Sequence, residues 1–199
     1  SLDSVILVEN ASTIYEVPIK LFDQGILKQI FTHFTLPVKK NINLKLWKDF
    51  LEKFYKIKNS VRVSIVGKYT NLSESYKSLN EALFHSGIFN NTKVDINWID
   101  SKALDNIQKC EKLLKESDGI LVPGGFGKDG TTGKLNAIKI AKKYNIPFLG
   151  ICFGMQLAIL ESVSNLKGFQ NASSTEFGKT SIPVISMIHE WTKNNKLFK

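Results

Sequence analysis

The chain has 199 residues, 43% of them hydrophobic, which suffices for one sizeable core or a core with an appendage. Its formal net charge is +9, from 27 basic and 18 acidic residues, yet Arg62 is the only arginine and the lysines are scattered along the chain, often beside asparagines. That pattern reads as a solvated lysine-rich surface and argues against a nucleic-acid site, where arginines and interleaved aromatics would gather; no run is long and apolar enough to span a membrane.

Two cysteines, Cys110 and Cys152, form no paired framework, so a reduced, cytoplasmic compartment is expected. The first residue is Ser1, and residues 1–10 lack the basic start and long apolar run of a signal peptide, so the chain reads as a piece of a longer protein.

In chain order, residues 1–36 are mixed, with a turn at Gly25 and a break at Pro37. Residues 43–57 place Leu46, Trp47, Phe50, Leu51, Phe54 and Tyr55 on one face of an amphipathic helix, a packing stripe able to join two domains. From Val61 the pattern alternates. Residues 61–66 read as a strand. Asn71 and Glu74 resemble a capping box, followed by Tyr76, Leu79 and Leu83 on one helical face up to Gly87. Residues 93–99 alternate with period two and predict a strand; 103–116 predict a helix. The short apolar runs 119–122 and 146–151 predict buried strands, with helices over 133–144 and 154–165. This order implies an α/β fold with an open, mostly parallel, doubly wound sheet and helices on both faces.

Ligands in such sheets bind at the carboxyl ends of the strands, and two features fall there. In Gly150-Ile151-Cys152-Phe153-Gly154-Met155-Gln156 a strand enters a helix through a Gly-x-Cys-x-Gly turn, the cysteine form of a nucleophile elbow. The helix amino end after Cys152 favours a thiolate. The bland alternative is a small buried cysteine beside a turn. The second feature, Val122-Pro123-Gly124-Gly125-Phe126-Gly127, ends the preceding strand; its backbone N–H groups could hold an oxyanion, although alone it could be a surface loop. Two decoys are rejected. Residues 125–130 fit G-x-G-x-x-G, but the next strand offers no acidic residue for a ribose. Gly133-Lys134 suggests a phosphate loop, but Leu135 stands where Ser or Thr is needed. Cys110, His33, His85 and His189 read as structural.

These residues resemble a known family. LGICFGMQ (149–156) behind PGGFG (123–127) is similar to the class I glutamine amidotransferases. STIYEVP (12–18), VGKY (66–69), SYKSLNEAL (75–83), DGILVPGGFG (118–127), IPFLGICFGMQLA (146–158), NASSTEFG (171–178) and the final EW (190–191) resemble the CTP synthases, in that family's order. The resemblance implies residues 1–36 as the end of a synthetase domain, 37–57 as a helical linker and 58–199 as a truncated amidotransferase domain. It implies glutamine hydrolysis supplying ammonia for ATP-dependent amination of UTP to CTP.

By the same resemblance Cys152 is the nucleophile that forms a glutamyl thioester. Gly125, with Gly124 beside it, and the main-chain N–H of Phe153 line the oxyanion site. Phe153, Gly154, Met155 and Gln156 border the glutamine, and Glu176 pairs with its α-ammonium. No metal or cofactor is expected within these residues; ATP and Mg2+ belong to the synthetase part, GTP is an activator, and the full-length protein is a homotetramer. Val66 to Lys77 resembles a mobile lid to which Lys68 or Lys77 contributes. Two departures stand out: the family's His-x-Glu pair and an arginine for the glutamine carboxylate do not occur before Lys199, and Phe153 stands where leucine is commoner. Alternative readings are another class I amidotransferase, such as that of GMP synthetase, and a silent interaction module.

Overall fold

The strand–helix alternation from Val61 onward is present in the computed structural model, which describes residues 5–37, 42–68, 73–186, 191–193 and 196–198. The chain falls into two units, residues 1–59 with 85–93, and residues 60–84 with 94–199.

The first unit carries α1 (Val17–Asp23), α2 (Ile26–His33) and α3 (Lys45–Lys56). Thr13 caps a 3-10 turn, Ile14–Glu16, by accepting the Tyr15 N–H at 3.4 Å; α1 follows directly, with Pro18 in its first turn, where its missing N–H leaves no helical bond unmade. Tyr15 packs on Phe50 at 5.2 Å and Trp47 at 6.2 Å between ring centroids, and Trp47 Nε1 donates to the Tyr15 carbonyl at 2.6 Å. The aromatic stripe of α3 is therefore a packing face only at its centre. Leu46 and Tyr55, at the two edges of an arc of about 180°, are 85% and 56% exposed, whereas Leu51 is buried.

The second unit is built on a four-stranded sheet of β1 (Asn59–Gly67), β2 (Thr92–Asp100), β3 (Gly119–Val122) and β4 (Phe148–Gly150), in the order β2-β1-β3-β4. The β1–β3 and β3–β4 pairs are parallel, with Ile65 beside Leu121, Leu121 beside Leu149 and Val122 beside Gly150. Side chains alternate across a strand. Val66, Ile120 and Val122 thus share a face and a buried cluster with Leu104, Cys110, Leu114, Ala137 and Ile140. The last of these come from α5 (Ile107–Leu114) and α6 (Thr131–Tyr144). A second cluster joins Ile138 of α6 to Phe153, Leu157 and Leu160 of α7 (Phe153–Ser164), with Phe148, Phe177 and Val184 against it. The buried Ser64 hydroxyl is satisfied by Ser117 Oγ at 2.7 Å and Asn97 Nδ2 at 3.1 Å.

Several boundaries differ from the sequence-based expectation. Residues 103–116 divide into a 3-10 turn, Ser101–Leu104, and α5, because the Asn106 side chain accepts the Lys109 N–H at 3.0 Å and starts a new helix. Tyr76 closes a 3-10 turn, Ser73–Tyr76, and α4 (Lys77–Phe89) begins after it and runs past Gly87. Asn71 of the expected capping box lies outside the described residues. The strand expected over 146–151 has three residues and is not fully buried: β4 is an edge strand of the sheet and Leu149 is 55% exposed. Beyond α7, β5 (Ala172–Ser174) pairs in parallel with β6 (Ile182–Ile185), and β7 (Trp191–Lys193) pairs antiparallel with β8 (Lys196–Phe198). Among the described residues no helix is long and apolar enough to cross a membrane.

Candidate active site

Val122 and Gly150 are register partners on adjoining parallel strands, so the glycine loop and the cysteine turn leave the sheet side by side. Cys152 is exposed and stands between β4 and α7 with φ +54° and ψ −112°, a backbone region that residues with a Cβ rarely occupy. The Ile151 N–H donates to the Val122 carbonyl at 2.9 Å, and the Gly154 N–H to the Ile151 carbonyl at 3.0 Å, which holds the turn against β3. Both flanking glycines are sterically required. A Cβ on Gly154 would stand 2.0 Å from the Val122 carbonyl oxygen, and one on Gly150 would stand 2.6 Å from the Met155 nitrogen. Their absent side chains let α7 start directly above the strand ends, with Cys152 at its amino end.

The glycine loop lies across this turn. A Cβ on Gly124 would lie 3.5 Å from Cys152 Cβ and 3.8 Å from its Sγ. Gly125 has φ +126° and Gly127 φ +93°, conformations that favour glycine. Three consecutive loop residues are tethered by side chains from elsewhere. Lys134 Nζ donates to the Gly125 carbonyl at 3.0 Å. Lys68 Nζ donates to the Phe126 carbonyl at 2.9 Å. Glu176 Oε1 accepts the Gly127 N–H at 3.0 Å, while the Gly127 carbonyl accepts from Thr131 Oγ1 at 3.0 Å.

Lys134 was not anticipated as a site residue. It has no exposed surface, and its Nζ lies 5.2 Å from the centroid of the Phe153 ring. Burial, with Lys68 adding a like charge, lowers its pKa from 10.5 to about 8. The Gly133-Lys134 pair that imitates a phosphate loop has another explanation here: a Cβ on Gly133 would stand 1.8 Å from the Ser101 carbonyl oxygen, so the glycine lets α6 pack on the 3-10 turn Ser101–Leu104.

The other anticipated residues are distributed as follows. Phe153 is 1% exposed, and its ring lies 5.3 Å from Phe126 and 6.0 Å from Phe177, so only its main chain can serve the site. Gly154 is buried under Val122, Met155 is 51% exposed, and Gln156 is half-buried on the first turn of α7. Glu176 lies in the 3-10 turn Thr175–Phe177, where the Ser174 hydroxyl accepts its N–H at 3.2 Å. Cys110 is fully buried in the α5–α6 core, and burial pushes its thiol up to about 11. His85 bonds Tyr15 Oη at 2.6 Å within the first unit; His189 lies outside the described residues. A cavity of about 590 Å³ in the first unit, lined by Leu46, Phe50, Lys53, His85 and Phe89, contains none of the anticipated site residues. Among the described residues no group of three or more His, Cys, Asp or Glu could hold a metal ion.

A strained cysteine at a strand–helix turn, faced by a tethered glycine loop, is an arrangement suited to thiol attack on a carbonyl. This chain belongs to the class I glutamine amidotransferase family: the profile described as Glutamine amidotransferase class-I matches residues 71–197. Its curated relatives include a CTP synthase of Pelagibacter ubique, 46% identical over 198 residues, covering 100% of this chain and 37% of that protein. A CTP synthase of Granulibacter bethesdensis is 42% identical over 195 residues, covering 98% of this chain and 36% of that protein. The chain therefore spans a little over a third of the length of these relatives. Among solved structures, the glutaminase domain of the Trypanosoma brucei CTP synthase with bound acivicin is similar, with TM-score 0.60 and 35% identity, over 65% of this chain and 50% of that one. The likeness to CTP synthases, read from seven short motifs, extends over the whole chain, and these matches favour it over the GMP synthetase alternative.

Proposed function

We propose that this chain carries the glutaminase site of a CTP synthase. The observation that carries the reading is the placement of the exposed Cys152 thiol, at φ +54°, against the Gly124-Gly125 loop. The Cys152 thiolate attacks the glutamine carboxamide carbon. The oxyanion that forms is stabilised by the Gly125 and Phe153 main-chain N–H groups. The C–N bond then breaks, the nitrogen leaves as ammonia after gaining a proton, and water releases glutamate from the thioester. Gln156 and Met155 border the substrate, and Glu176, already turned toward the loop, binds its α-ammonium. The general base and the arginine for the α-carboxylate are supplied by sequence outside these residues.

The 36–37% coverage of relatives named CTP synthase supports a larger protein in which ammonia aminates UTP at the expense of ATP, with Mg2+ as a cofactor of the synthetase part. On the same reading it is a cytoplasmic homotetramer activated by GTP. Lys68 is proposed to couple such activation to the glycine loop, a reading supported by its bond to the Phe126 carbonyl. Lys68→Ala and Lys77→Ala in the full-length protein are expected to weaken GTP stimulation; unchanged GTP dependence in both removes this assignment.

Labelling tests the site itself. Acivicin, followed by peptide mass spectrometry, is expected to modify Cys152 and leave Cys110 untouched, because Cys110 is fully buried with its thiol pushed up to about 11. Equal modification of both cysteines in the folded protein, or of neither, contradicts the assignment.

A further inference from the structure

We propose that Lys134 is a positioning residue for glutamine hydrolysis, an inference that rests on the glutaminase reading. Its buried Nζ fixes the glycine loop in the conformation that faces Cys152. The loop needs such a device. Gly124 and Gly125 carry no side chains with which to hold themselves, and glycine samples positive and negative φ about equally. The φ of +126° at Gly125 must therefore be imposed from outside. The 3.0 Å bond from Lys134 Nζ to the Gly125 carbonyl does this at the residue whose N–H is proposed above to hold the oxyanion. With that carbonyl anchored, the backbone rotations at Gly125 that would turn the preceding peptide, and the N–H it carries, out of place are opposed.

The burial argues that the lysine is kept for more than packing. Among the described residues no carboxylate lies within ion-pair distance of Nζ; its partners are one carbonyl and the face of the Phe153 ring. An ammonium held so deeply is destabilising relative to an apolar side chain of the same length. A side chain that opposes stability while touching the active loop fits the usual exchange of stability for function. Lys68 and Glu176 tether the neighbouring residues, but both come from exposed settings. Lys134 alone of the three reaches the loop from within the core.

The test uses the full-length protein with Lys134→Met, which keeps length and removes Nζ, and Lys134→Leu as a second apolar variant should methionine not fold. The variant is expected to fold with a melting temperature equal to or above that of the parent. Its kcat for glutamine hydrolysis is expected to fall about 30-fold or more, with KM changed less than about threefold, as for a group that acts in the transition state through the loop. A folded variant with kcat within about threefold of the parent overturns the positioning role, as does a loss confined to KM. A parent protein with no glutaminase activity overturns the functional reading and this inference with it; an active parent with an unaffected variant overturns the inference alone.

Discussion

The Sγ of Cys152 lies 3.8 Å from the point where a Cβ on Gly124 would stand, with Cys152 Cβ at 3.5 Å from it. Those are ordinary van der Waals separations, so Gly124→Ala is sterically possible in the resting protein. The added methyl group occupies the space above the thiol that an incoming carboxamide must enter. The expected outcome is stability within about 1 kcal/mol of the parent by urea denaturation and glutaminase activity lowered about tenfold or more in the full-length protein. Unchanged activity in a folded variant places the substrate on another side of the sulfur.

Strain at Cys152 leads to a second prediction. With φ +54° and ψ −112°, Cys152 occupies backbone space suited to glycine. Cys152→Gly relieves the Cβ conflict while removing the thiol of an exposed side chain. Stability is expected to rise by about 1 kcal/mol, read as a higher urea midpoint. A fall of similar size means that the turn is not strained.

Lys134 gives the protein a pH signature. Its pKa is lowered to about 8 in the fold, from an ordinary value of 10.5, chiefly by burial and secondly by Lys68. Between these values the unfolded chain holds a proton that the folded one has lost. Stability contributed at this position therefore rises as pH increases through that window. Lys134→Met lacks the titrating group, so groups common to both proteins cancel in the difference. The urea midpoint of the parent is expected to gain on that of the variant from pH 7.5 to pH 10. A gap that is constant, or that widens in the variant's favour, shows that the lysine is not destabilised by burial.

The cysteine turn was legible because its constraint is local. A strand, two glycines and a helix start surround Cys152 within five residues, and the close approaches of Gly150 and Gly154 to neighbouring backbone explain why each must be glycine. The parallel sheet was legible for the same reason, through short apolar runs between amphipathic helices. Lys134 was not, because its role depends on burial. Nothing in Gly133-Lys134-Leu135 indicates that α6 enters the core beneath a loop nine residues earlier, and the pair imitates a phosphate loop for an unrelated packing reason. Leu149 was misread as buried because its apolar run resembles that of β3, and only the strand order shows that it lies on an edge strand. The break between Leu104 and Ile107 escaped because Asn106 caps a helix from within a run of helical spacing.

The proposed role of Cys152 is to break the glutamine amide, with no part in the amination of the nucleotide. It is tested most directly by assaying full-length Cys152→Ala for CTP formation with glutamine and with ammonium salt, side by side. Thioester formation needs the sulfur, whereas ammonia supplied from solution bypasses it. CTP formation from glutamine is expected to disappear, and formation from ammonia to persist near the parental rate. A folded variant that keeps glutamine-dependent synthesis, or loses ammonia-dependent synthesis, contradicts it.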